Sequence, residues 1–76
     1  MYQITTSLNE DYTKLEEIGK ESLPIYYKKD DLELLSLLKH VILKINLEET
    51  TIGFIVGRLE KLKNNIHIMS IAVSPN

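Results

Sequence analysis

The run Ile66-His67-Ile68-Met69-Ser70-Ile71-Ala72-Val73 constrains this chain more than any other stretch. Nearly all of it is apolar or β-branched, and it is bounded by Asn65 before and by Ser74-Pro75 after. Such a run suits a strand covered on both faces, and a strand of that kind needs neighbours in a sheet. The sequence stops one residue beyond the Ser-Pro turn signal, so residues 1–76 are expected to form part of a domain interrupted in its middle.

Size and charge narrow the classes. With 76 residues there is one domain at most, and a chain this short hides only about 60% of the surface that its extended form exposes. Cys is absent and the two His have no matching acidic cluster, so neither a disulfide nor a metal site is expected. The net charge of −2 comes from interspersed Lys and Glu, with no basic block to track a phosphate backbone. Nucleic acid is therefore not an expected partner. No leader pattern opens the chain and no apolar run approaches the roughly 20 residues that span a bilayer, so the expectation is a cytoplasmic protein without membrane contact.

Taken in order, Tyr2 to Thr6 alternates in polarity and predicts a short strand with Tyr2 and Ile4 facing inward. Ser7 with Glu10 fits a capping box, and Asn9 is a second candidate cap, for a helix whose stripe is Tyr12, Leu15 and Ile18. Gly19 weakens that helix and Pro24 requires a break, so a bend falls between about residues 19 and 30. A second helix starts near Asp30 with Glu33 completing its box, and Leu32, Leu35 and Leu38, widened by Leu34, mark its inward face. From His40 to Leu47 the period becomes two, with Val41, Leu43, Ile45 and Leu47 on the drier face. Glu48-Glu49-Thr50 is a turn, Ile52 to Leu59 the partner strand of a hairpin, and Lys61 to Asn65 a polar connection into the final strand. The expected class is α/β (α+β), ordered β-α-α-β-β-β with a mainly antiparallel sheet.

In this order, Ile52-Gly53-Phe54-Ile55-Val56-Gly57-Arg58 followed by His67-Ile68-Met69-Ser70-Ile71-Ala72-Val73-Ser74-Pro75-Asn76 resembles the third and fourth strands of the GCN5-related N-acetyltransferase (GNAT) superfamily. The resemblance spans the whole chain but only the first half of that family's domain. It implies the N-terminal half of the acyl-CoA N-acyltransferase fold, ending before the glycine-rich loop that holds the pyrophosphate of acetyl-CoA. Leu23-Pro24-Ile25-Tyr26-Tyr27 and His67-Ile68-Met69-Ser70-Ile71 look most like the corresponding segments of protein N-terminal (N-alpha) acetyltransferases.

What the resemblance implies is transfer of an acetyl group from acetyl-CoA to the α-amino group of a protein or peptide. A base titrating near neutrality suits an amine with a pKa near 8. His67 stands where the family carries a Tyr or His that helps deprotonate the amine, and imidazole has the right range. The alternative for His67 is an ordinary core or rim residue. Ile71, Ala72 and Val73 correspond to the stretch whose unpaired backbone groups bond the pantetheine arm and, near Ile71, the developing oxyanion. Leu23, Pro24 and Ile25 correspond to an apolar wall of the peptide groove, with the Tyr27 hydroxyl directed toward the peptide backbone; otherwise they are only an interhelix bend. This half is expected to be inactive or nearly so by itself, and its last strand is expected to offer an unpaired edge to a second chain or second copy. Two other functions stay open: a non-catalytic α/β interaction module, and acetyl transfer to a small amine or a lysine side chain.

Overall fold

A computed structural model describes residues 1–60 and 65–74. Strand β1 (Tyr2–Thr6) leads through a short 3-10 turn at Asn9–Asp11 into helix α1 (Tyr12–Ser22). Helix α2 (Lys29–Leu37) follows, and then strands β2 (His40–Leu47), β3 (Thr50–Glu60) and β4 (Asn65–Val73). The four strands form one antiparallel sheet in the order β1-β2-β3-β4. The expected β-α-α-β-β-β class is therefore the observed one. The connection expected over Lys61 to Asn65 lies largely outside the described residues, and Asn65 itself opens β4.

Both helices pack on one face of the sheet. Tyr12, Leu15 and Ile18, spaced three apart on α1, and Leu32 of α2 are buried against Ile42, Phe54, Val56 and Ala72. Each such side chain contributes about 1.5–3 kcal/mol by leaving water, which is what fixes the helices over β2, β3 and β4. The helix starts differ from expectation. Ser7 does not cap: its N–H and Oγ donate to the Ile42 carbonyl at 3.0 and 2.7 Å, pinning the end of β1 to β2. Asp11 supplies the cap instead of Glu10, accepting the Leu8 N–H at 2.7 Å. In the same way Asp31, rather than Glu33, accepts the Lys28 N–H at 3.0 Å, so α2 begins one residue before Asp30. Its end is marked by Lys39, whose φ of 63° is the left-handed conformation that closes many helices.

Glu48 and Glu49, at φ 49° and 75°, make the two-residue turn between β2 and β3, with the positive φ values that match strand twist. Two register shifts interrupt the ladder. One falls between Ile45 and Asn46, and the other follows Val56, where Val56 pairs with Ser70 but Gly57 with Ile68, leaving Met69 as an extra residue on β4. That bulge resets the faces: Ser70 and Ala72 lie on the helix-bearing side with Val56 and Phe54, while Ile66, Ile68, Ile71 and Val73 lie on the other.

Several inward assignments are overturned. The covered face of β2 carries Ile42 and Lys44, whereas the more apolar set Val41, Leu43, Ile45 and Leu47 lies on the opposite face with no helix over it. Tyr2 and Ile4 are exposed on that same side, because β1 pairs in register with it and α1 and α2 do not reach it. On α2, Leu32 is buried and Leu35 packs at the core margin, but Leu34 and Leu38 are exposed, since a single nine-residue helix offers only one stripe to the sheet.

Candidate functional site

Strand β4 is an edge of the sheet. The Ser74 N–H donates to the Ile52 carbonyl at 2.6 Å, which makes Ser74 and Ile52 a hydrogen-bonded pair. Antiparallel pairing alternates, so Ala72 turns its N–H and C=O toward β3 while Ile71 and Val73 turn theirs outward. An independent contact agrees: the Val73 carbonyl accepts the Ser22 hydroxyl of α1 at 2.9 Å. Of the three residues expected to offer backbone groups, Ile71 and Val73 have the outward orientation. Ala72 is buried on the helix side, and its backbone belongs to the β3 ladder.

The Ser22 bond also brings two predicted sets together. Leu23 follows Ser22 directly, so the interhelix segment departs from the β4 edge at Val73. Within the segment the roles divide. Leu23 and Tyr27 are partly buried and pack on the core margin, whereas Pro24 is exposed and Ile25 is 88% exposed. Of the expected wall Leu23, Pro24 and Ile25, Leu23 thus packs inward with Tyr27 and anchors the segment, while Pro24 and Ile25 project from it.

His67 sits farther along β4, beyond the bulge. Its partner Arg58 lies three residues from Ile55, the partner of Ile71, so the two positions are about 10 Å apart along the sheet. It pairs with Arg58, which in turn pairs with His40, so the three share the helix-bearing face rather than the side opposite the helices. Its Nδ1 lies 3.8 Å from Glu60 Oε1, and Arg58 Nη2 lies 3.7 Å from the same oxygen. The His67 side chain is 56% exposed. The structure thus places Ile71, Val73 and Leu23 in one neighbourhood and His67 beyond the bulge, on the helix-bearing face. Ser22 is the residue that sequence reasoning missed; its position in the last turn of α1, one residue before the break at Leu23-Pro24, was the available signal.

Among the described residues no group of three His, Cys, Asp or Glu side chains is arranged to hold a metal, and no helix is long and apolar enough to cross a membrane. An edge strand with outward amides and carbonyls can bind an extended ligand of peptide-like spacing as an added strand. That is the chemistry this arrangement offers.

No family model matches the chain, and the search of curated proteins likewise gave no match. Among solved structures the chain is similar to the ribosomal-protein-S18-alanine N-acetyltransferase from Escherichia coli, with a TM-score of 0.81 and 12% sequence identity. The match covers 99% of this chain and 47% of that one, so the chain spans about half the length of the structure it resembles. At this identity the likeness is one of fold alone: the chain shares its β-α-α-β-β-β architecture with about half of that structure.

Proposed function

We propose that this chain forms part of an acetyl-CoA-dependent N-acetyltransferase whose acceptor is the α-amino group of a protein or peptide. The observation that carries the reading is the β4 edge, where Ile71 and Val73 direct backbone groups outward beside the start of the interhelix segment, held there by Ser22. The fold likeness to an N-acetyltransferase supports it. The pantetheine arm of acetyl-CoA carries amides at spacings that an extended strand matches, so its binding at this edge is β-addition by a small molecule.

The reaction needs little from side chains. The neutral amine attacks the thioester carbonyl, a C–N bond forms, and the C–S bond breaks; the proton lost by nitrogen passes to solvent or a base and the thiolate leaves. The Ile71 N–H faces the position where an oxyanion would develop, a preorganised donor of the kind worth most when water is excluded. His67 is assigned the base, acting through water because of its distance from Ile71. Tyr27 and Leu23 hold the segment along which the acceptor peptide would lie.

Titrating the isotope-labelled chain with acetyl-CoA, and following its amides, tests the reading. The expected shifts fall on Ile71, Val73 and Ser22, with desulfo-CoA competing at the same residues; no shift at these positions with millimolar ligand would overturn the site. For the complete enzyme, His67→Ala is expected to reduce acetyl transfer to peptide amino termini at neutral pH more than it weakens acetyl-CoA binding. An unchanged rate removes His67 from the mechanism without touching the edge assignment.

A further inference from the structure

Ser22 is the last residue of α1 and Val73 the last of β4, and one hydroxyl joins them. Ser22 Oγ donates to the Val73 carbonyl at 2.9 Å, across 51 positions of sequence. The approach is prepared one turn earlier. Gly19 is buried against the sheet, where a Cβ would stand 3.1 Å from Tyr26 Cβ and 3.5 Å from Phe54 Cζ. With only hydrogen there, the last turn of α1 settles close to Phe54, whose partner on β4 is Ala72. Ser22 stands three residues on, on the same side of the helix, and so comes level with Val73.

Three features give this bond a role beyond holding a surface together. A serine in a helix commonly returns its hydroxyl to a carbonyl of the preceding turn. Ser36 of α2 does so, donating to the Glu33 carbonyl at 2.8 Å, whereas Ser22 donates to another element. The helix that carries Ser22 is also firmly seated: Leu15 and Ile18 are buried, and the Leu23 N–H closes the last turn on the Gly19 carbonyl at 2.8 Å. Finally, the accepting carbonyl belongs to one of the two residues whose backbone groups face out from the sheet. The hydroxyl therefore fixes the peptide plane at that point and leaves the Val73 N–H and both groups of Ile71 to an extended ligand.

We propose that Ser22 is a positioning residue for acetyl transfer: its hydroxyl ties the head of the interhelix segment to the strand that holds the thioester, and so sets the separation of acceptor amine and acetyl carbonyl. This role presupposes the acetyltransferase function, with acetyl-CoA on the Ile71 and Val73 edge. Leu23 follows Ser22 directly and packs inward with Tyr27, so the place of Ser22 decides where Pro24 and Ile25 emerge beside the edge. Reacting atoms must stand about 3–3.5 Å apart and aligned, and a displacement of about 1 Å caused far from the chemistry can cost on the order of 100-fold in rate. Ser22 acts through Val73 on one side and through Leu23 on the other.

Steady-state kinetics of the complete enzyme with acetyl-CoA and a peptide bearing a free amino terminus test the role, alongside acetyl-CoA binding and urea unfolding. Ser22→Ala is expected to lower kcat at least about tenfold, with the acetyl-CoA dissociation constant changed by less than about threefold. Its urea midpoint should fall no further than that of Ser36→Ala, which should itself leave kcat unchanged. Ser22→Thr keeps the hydroxyl and is expected to hold kcat within about threefold of the parent. An unchanged kcat in Ser22→Ala, an equal loss in Ser22→Thr, or a loss matched by Ser36→Ala overturns the role and leaves the acetyltransferase function standing. A parent enzyme that transfers no acetyl group to peptide amino termini defeats that function, and the role falls with it. Should Ser22→Ala fail to fold, Ser22→Cys, a weaker donor of similar size, takes its place under the same criteria.

Discussion

Replacing Gly53 with Ala adds one methyl at the most tightly closed point between β3 and β4. The new Cβ would stand 2.6 Å from the Ala72 carbonyl oxygen, a backbone atom held in the sheet. No rotamer relieves that contact, so the strands must part locally. Overpacking of this kind costs about 1–3 kcal/mol, and the reduced freedom of alanine in the unfolded chain returns about 0.4–1 kcal/mol. The net expectation is a loss of about 1–2 kcal/mol. Gly57→Ala is the matched comparison. Its nearest atom is Ile66 Cγ2 at 2.8 Å, the branch methyl of a half-exposed side chain that a change of χ1 moves aside, and the His67 carbonyl stays at 3.5 Å. The same entropic return then leaves it within about 0.5 kcal/mol of the parent. Urea unfolding at one fixed protein concentration measures both, and with a slope near 1 kcal/mol/M for a small chain the midpoint of Gly53→Ala should fall by about 1–2 M. If Gly57→Ala proves equally or more damaging, the distinction between a backbone obstacle and a side-chain one is wrong here. Because Ala72 lies between Ile71 and Val73, Gly53→Ala should also weaken acetyl-CoA binding at the β4 edge, while Gly57→Ala should not.

Other perturbations follow from the same contacts. Leu32→Ala empties the one fully buried position of α2 and is expected to cost about 2–5 kcal/mol by urea unfolding; a loss below 1 kcal/mol would mean that α2 is not docked through this residue. Asp11→Ala removes the Leu8 cap and the contact at 3.1 Å with Lys44, a pair mostly shielded from solvent, for an expected loss of about 1–3 kcal/mol. Lys44→Met, which keeps the cap and the length of the side chain, should cost less than Asp11→Ala in the same assay. Tyr27→Ala in the complete enzyme is expected to raise the Michaelis constant for peptide several-fold with acetyl-CoA affinity nearly unchanged. A peptide constant that stays put would argue that Tyr27 only anchors the segment.

The element order was legible because each signal was local. Tyr12, Leu15 and Ile18 at helical spacing, the break forced by Pro24 and the switch to a period of two after His40 each depend on a few adjacent residues. Which face of the sheet the helices cover was not legible. Alternation in β2 separated Val41, Leu43, Ile45 and Leu47 from Ile42 and Lys44, but the side chosen follows from long-range packing on Phe54 and Val56. The aliphatic part of Lys44 lies under that packing while its amine reaches Asp11, so a charged residue marks the covered face. Caps slipped by small amounts because several acids compete at each helix start, and geometry selected Asp11 and Asp31 over Glu10 and Glu33. At the candidate site, the strand and its likeness to an acetyltransferase were readable. The inward turn of Ala72 was not, since backbone orientation depends on pairing with β3.

The bulge at Met69 connects these points. Without an extra residue on β4, strict alternation would put Ile66 and Ile68 on the same face as Ser70 and Ala72, pressing toward the helix side, and His67 on the same face as Ile71. With it, both isoleucines join the face opposite the helices and His67 joins Arg58 and Glu60 on the other. One inserted residue thus keeps titratable groups off the apolar surface while leaving Ile71 and Val73 turned to the free edge. The separation has a chemical consequence for the proposed reaction: the oxyanion donor points out in the plane of the free edge while the base stands on the helix-bearing face of β4, so an amine placed at the edge meets the Ile71 N–H directly and His67 through water.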